Sequence, residues 1–253
     1  MNLVYRERGE GPPLLLIHGL FGSADNLGGI ARILERDFRT ISVDLRNHGR
    51  SPHSDRVDYH LMANDVLSVL DRLVIERAHV FGHSMGGKTA MQLALDHAER
   101  VKKIIVADIA PVTYEHHHSA ILAGMRAVVE AAPTSRKDAQ EILAPHVSEP
   151  DVLTFLMTNW RRGDENKWGW RINLDAIEKN YSNIADGNSG GPFEGEVLFL
   201  RGSRSDYVLA EHREAILDLF PNATVRTIEG AGHWLHAEKS DMVARAVTRF
   251  LET

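Results

Sequence analysis

Gly82-His83-Ser84-Met85-Gly86 stands between the mostly apolar run Ala78-His79-Val80-Phe81 and a helical stretch that begins at Gly87. It is a Gly-x-Ser-x-Gly pattern in a strand–turn–helix setting, an arrangement that exposes a serine as a nucleophile. Such a turn leaves no room for a β-carbon two residues either side of the serine. Glycine there lets Ser84 take a strained backbone conformation with its hydroxyl pointing out of the fold. The helix that follows aims its first N–H groups at the place where negative charge develops. A bare Gly-x-Ser-x-Gly also occurs in plain turns, so the reading rests on the partners a serine needs.

The first partner is His233, in Glu229-Gly230-Ala231-Gly232-His233-Trp234. It follows Thr224-Val225-Arg226-Thr227-Ile228, whose β-branched residues read as a strand. Serine at its own pKa is a weak nucleophile and needs a base within reach, and histidine ionises near neutrality. The chain has fourteen histidines. His233 is singled out because it closes the order serine, acid, histidine. Two carboxylates compete for the acid. Asp108 ends the apolar run Lys103-Ile104-Ile105-Val106-Ala107, and Asp206 follows the strand-like Glu196-Val197-Leu198-Phe199-Leu200. From either place a carboxylate can hold the imidazole tautomer and stabilise the imidazolium. A carboxylate leaving so apolar a strand as 103–107 needs partners or carries a large desolvation cost. Asp206, in a polar loop, can simply be solvated.

An oxyanion site is the third requirement. Leu14-Leu15-Leu16-Ile17 reads as a buried strand, followed by His18-Gly19-Leu20-Phe21-Gly22. This loop brings one backbone N–H to the serine, from Leu20 or alternatively Phe21, and Met85 supplies the second. His18 reads as a brace that bonds backbone rather than as a reacting group. Asp44-Leu45-Arg46-Asn47-His48-Gly49-Arg50-Ser51 follows the strand Thr40-Ile41-Ser42-Val43 and reads as a fixed loop beside the site.

Strand-like and helical runs alternate up to Pro111, with a helix over Asn64–Leu73, which implies a mostly parallel sheet covered on both faces. From Val112 to Pro192 the strand signal vanishes. Ser119–Ala132 and Arg136–Leu143 read as helices, with Pro133, Pro145 and Pro150 as punctuation. Strands resume at Glu196, and a last helix spans Ser240–Leu251. The middle segment holds Trp160, Trp168 and Trp170. With Phe21, Met85 and Trp234 they suggest an apolar substrate wall, for which Phe21, Trp160 and Trp234 are the candidates. Arg161 and Arg162 read as a solvated basic patch. Consecutive histidines such as His116-His117-His118 rarely all face one ion, so no metal site is expected.

Together these stretches resemble the α/β-hydrolases along the whole chain. HGLFG, DLRNHGRS, GHSMGG, a late acid and GAGH occur in that order. Within that superfamily the chain is similar to the YbfF-type bacterial esterases and their mitochondrial relatives. The stretches that carry the likeness are His18–Leu27, Gly82–Lys88, Asp108-Ile109-Ala110-Pro111-Val112 and Gly230–Lys239. The resemblance implies an α/β-hydrolase fold with a helical cap inserted after the sixth strand. The core would be 1–111 and 193–253, and the cap 112–192. The general superfamily pattern places the acid at Asp206, whereas the YbfF-type pattern places it at Asp108 and favours that residue.

The implied chemistry is a serine esterase or thioesterase acting on short- to medium-chain acyl esters, including acyl-CoA thioesters, without a cofactor. Other chemistry on the same triad (carbon–carbon bond hydrolysis or cofactor-free haloperoxidation) and a non-catalytic ligand receptor are the alternatives. A haloalkane dehalogenase would need an aspartate at position 84. Composition agrees: 253 residues suit one α/β domain with an insertion, and a net charge of −6 argues against a nucleic-acid partner. No apolar run reaches the eighteen residues of a spanning helix, so no membrane partner is expected. No leader is visible, which makes the cytoplasm the expected compartment. The absence of cysteine rules out disulfides and a thiol nucleophile.

Overall fold

In the computed structural model, which describes residues 1–163 and 166–252, the apolar runs become strands of one sheet. They are β1 (Tyr5–Arg8), β2 (Pro13–Ile17), β3 (Arg39–Val43), β4 (Ala78–His83), β5 (Val101–Ala107), β8 (Glu196–Gly202) and β9 (Ala223–Ile228). Two further short strands, β6 (Trp160–Arg162) and β7 (Trp168–Trp170), form a separate hairpin. The order across the large sheet is β1-β3-β2-β4-β5-β8-β9. Only β1 runs antiparallel; every other neighbouring pair is parallel.

A sheet this apolar needs cover on both faces. Along β2 the side chains alternate: Leu15 and Ile17 enter one core layer, Leu14 and Leu16 the other. The helices, in chain order, are α1 (Gly28–Leu34), α2 (Tyr59–Arg72), α3 (Met85–Asp96), α4 (Ser119–Ala131), α5 (Arg136–Leu143) and α6 (Pro150–Met157). They continue with α7 (Leu174–Lys179), α8 (Tyr181–Ala185), α9 (Arg213–Leu219), α10 (Leu235–Glu238) and α11 (Ser240–Leu251). The first layer takes Val66 of α2 and Met91 of α3; the second takes Ile30 of α1 and Val247 of α11. Among the described residues no helix is long and apolar enough to cross a membrane.

Two expectations are corrected here. Counted along this chain, the insertion leaves after the fifth strand, not the sixth, because a single antiparallel strand precedes the parallel ones. Ahead of β1, Leu3 is buried and its carbonyl accepts from Arg72 of α2. The inserted segment also holds strands. Trp160 pairs with Trp170 across the β6–β7 hairpin, their rings 4.9 Å apart. Strands of three residues carry too little alternation to register as a period.

Parallel strands put their carboxyl ends on one edge of the sheet, where α/β proteins bind ligands. The loops leaving β2, β4, β5, β8 and β9 therefore carry Leu20, Ser84, Asp108, Ser205 and His233 to one place.

Candidate active site

Ser84 sits between β4 and α3 with φ 52° and ψ −122°, a conformation that a side chain rarely adopts. The flanking glycines are sterically required. A β-carbon on Gly82 would lie 2.1 Å from the Gly86 carbonyl oxygen, and one on Gly86 2.2 Å from that of Ile17. The Ser84 N–H donates to Ala107 O at 3.0 Å, tying the turn to the end of β5.

Asp108 follows β5, fully buried, with φ 56°. Its Oδ1 accepts from Gly202 N–H at 2.9 Å, and its Oδ2 accepts from His233 Nδ1–H at 2.7 Å and from the Ser205 hydroxyl. A carboxylate accepts only, and three converging donors meet the lone pairs of this buried one. With Nδ1 donating, the neutral His233 ring presents a bare Nε2. Tyr207 stacks on that ring at 4.1 Å, and His83 Nε2–H donates to the His233 carbonyl at 2.9 Å. Ser84 and His233 line one cavity; no hydrogen bond joins them among the described residues. Catalytic hydrogen bonds often close only when substrate is bound.

Asp206, the alternative acid, is exposed, and among the described residues no hydrogen bond joins it to His233. Its loop contributes the neighbouring Ser205 hydroxyl instead. Ser205 and His83 were missed in the sequence. Each is adjacent to a residue that was weighed, and which neighbour points inward is a matter of loop conformation, not of composition.

The loop after β2 lies against the serine: a β-carbon on Gly19 would be 3.2 Å from Ser84 Cβ. Among the described residues the Leu20 and Met85 N–H groups have no acceptor. Phe21 as donor is corrected, since its N–H is committed to His48 Nε2 at 3.2 Å. Its ring lines the cavity, as does Trp234, which packs on Phe155 at 5.1 Å. Trp160 does not line it; it is buried between Trp168 and Trp170 inside the insertion. Arg161 and Arg162 are exposed, and Arg162 lies over Trp168. His118 Nδ1 is hydrogen-bonded with the Tyr181 hydroxyl, while the His116 ring packs edge-on against Tyr181.

Lys88 of α3 is buried where the inserted segment leaves and rejoins the sheet. Its ammonium donates to Val112 O at 2.7 Å, Ala185 O at 3.2 Å and Asp186 O. Burial pushes its pKa down to about 7; the three carbonyls, with the Tyr114 ring 4.9 Å away, favour the charged form. Asn159 Nδ2–H donating to Phe21 O at 2.7 Å makes a second tie from the insertion to the site.

Four buried histidines brace these loops as neutral rings. His18 accepts from Leu45 N–H on Nε2 at 3.0 Å and donates from Nδ1 to Gly19 O, the bracing role read from sequence. Burial lowers its pKa, pushes His48 and His236 down to about 3, and holds His83 well below its ordinary value. The unfolded chain protonates these rings near pH 6.5, the folded chain only at lower pH, and far lower for His48, His83 and His236. Between those limits the unfolded state binds more protons, so stability falls as pH falls. The unfolding free energy from urea titrations should fall from pH 6.5 toward pH 4, by up to about 1.4 kcal/mol per pH unit for each of His48, His83 and His236, and the midpoint with it. A flat midpoint across that range contradicts neutral burial.

With this geometry in place, the chain can be set beside known proteins. The model of the α/β-hydrolase fold family matches residues 12–240. Esterase YbfF of Escherichia coli is 40% identical over 240 residues, covering 94% of this chain and 92% of that protein. The sn-1-specific diacylglycerol lipase ABHD11 of Mus musculus is 39% identical over 249 residues, covering 95% and 81%. A solved marine microorganism esterase superposes with a TM-score of 0.95 at 39% identity, covering 98% of this chain and 99% of that one. The chain belongs to the α/β-hydrolase family, among the YbfF-like esterases.

Proposed function

We propose that this protein is a carboxylic ester hydrolase that works through a Ser84–His233–Asp108 triad and an acyl-enzyme, on short- to medium-chain esters or acyl-CoA thioesters. The observation that carries the reading is the 2.7 Å bond from His233 Nδ1–H to a fully buried Asp108, in a ring that shares a cavity with Ser84. His233 Nε2 takes the Ser84 proton as Oγ bonds to the acyl carbon and the carbonyl pair moves to oxygen. The Leu20 and Met85 N–H groups stabilise that oxyanion. Collapse breaks the bond to the leaving alcohol or thiol, which takes the proton from His233. Water then repeats the cycle, releasing the carboxylic acid and restoring Ser84. No cofactor enters this scheme, and residues 112–192 act as a cap over it. The esterase and lipase names of the relatives support ester chemistry.

Purified protein should turn over p-nitrophenyl acetate and should be labelled on Ser84 by a fluorophosphonate, read by peptide mass. Folded protein that does neither overturns the proposal and favours a receptor.

A further inference from the structure

Ser84 opens on two cavities of very different size. The larger is about 920 Å³ and is lined by His233, Phe21, Ile121, Val152, Phe155 and Trp234 among others. The smaller is about 40 Å³; Met85 and Ile109 of the core and Tyr181, Ile184 and Ala185 of the insertion are among its walls, with Glu115 and His118 on a polar side. Leu20 and Tyr207 border both cavities, but His233 borders only the larger one. Lys88 reaches the small cavity with its ammonium already engaged by the three carbonyls, so it brings no unsatisfied charge there.

Chemistry decides which part of an ester goes where. The departing oxygen or sulfur takes its proton from His233, so it must lie on the histidine side of the acyl carbon. The carbonyl oxygen lies at the Leu20 and Met85 N–H groups. The remaining substituent of the tetrahedral carbon, the acyl chain, is left with the direction away from His233, into the small cavity. On the criterion that one water needs about 10–15 Å³ of such space, 40 Å³ holds roughly three methylene-sized groups.

Resting on the esterase reading above, we infer that this enzyme takes esters of short acids, two to four carbons, carried on bulky and largely apolar alcohols or thiols. Residues Tyr181, Ile184 and Ala185 of α8 set the acyl limit. The cap therefore measures the acid with one helix, while the opening beyond His233 leaves the alcohol loosely constrained.

The test is a two-way ester series on the wild-type protein. With 4-methylumbelliferol fixed, kcat/KM should hold from acetate to butanoate and then fall about tenfold or more per added methylene pair through octanoate. With acetate fixed, enlarging the alcohol from phenol to naphthol to 4-methylumbelliferol should cost less than threefold beyond leaving-group pKa. Ile184→Ala should move the acyl optimum up by about two carbons, and Ala185→Val should move it down. The opposed shifts separate pocket volume from general damage, and either variant alone serves if the other fails to fold. Turnover that rises toward octanoate, with both variants leaving the profile in place, overturns the assignment and puts the acyl chain in the large cavity. Folded wild type that hydrolyses no ester of either series overturns the esterase reading, and this partition with it.

Discussion

Ser84→Ala is expected to lower kcat for p-nitrophenyl acetate by about 10⁶-fold, the loss seen when a triad nucleophile is removed. In the proposed mechanism the residue supplies the oxygen that forms the acyl-enzyme, and no cysteine exists to replace it. The fold should be unaffected. Alanine keeps the β-carbon at φ 52°, and every backbone bond of the turn, including Ser84 N–H to Ala107 O, remains. Ser84→Gly adds a second readout. It removes the same hydroxyl but relieves the backbone, so it should unfold later in urea than Ser84→Ala, by roughly 1 kcal/mol. Residual activity above about a hundredth of wild type in Ser84→Ala would refute the nucleophile assignment.

Asp108→Asn should cost on the order of 10⁴ in kcat, while Asp206→Asn should stay within about twofold. The asymmetry follows from the donors around each group. Asp108 accepts Gly202 N–H on one oxygen, and His233 Nδ1–H with the Ser205 hydroxyl on the other. Asparagine has one acceptor oxygen. Turned toward Gly202, it sets its NH₂ against His233 and forces the tautomer that carries hydrogen on Nε2, which cannot take the serine proton. Turned toward His233, it faces Gly202 N–H with another donor and gives the imidazolium no counter-charge. Asp206 is exposed, so its amide loses only solvated charge. Initial rates of the two variants at pH 8 decide the matter: equal losses, or a larger one at 206, sink the assignment of the acid.

The site's legibility in sequence follows from how local each requirement is. The nucleophile turn, the strand before it and the helix after it are set within about ten residues by glycine sterics and apolar period. Ser84 and Met85 are therefore candidates from their own neighbourhood, and His233 is a candidate from chain order. The acid could not. Asp108 directly follows β5 and Asp206 lies four residues past β8 on the same edge of the sheet, and only the packing of loops 108–111 and 202–207 buries one and leaves the other in water. The same holds for the oxyanion donors, where Leu20 and Phe21 are adjacent. His48, distant in sequence, takes the Phe21 N–H and removes it from contention.

By itself, the sequence determined an α/β sheet with an insertion, and it put Ser84 and His233 in loops that leave strands. These depend on periodicity, tight-turn sterics and chain order, which are short-range properties. Tertiary structure alone decided that Trp160 belongs to the interior of the insertion, that Ser205 bonds Asp108 and His83 bonds the His233 carbonyl, and that Ser84 meets two unequal cavities. Those are outcomes of side chains from separate elements competing for the same space and the same hydrogen bonds, which no local pattern encodes.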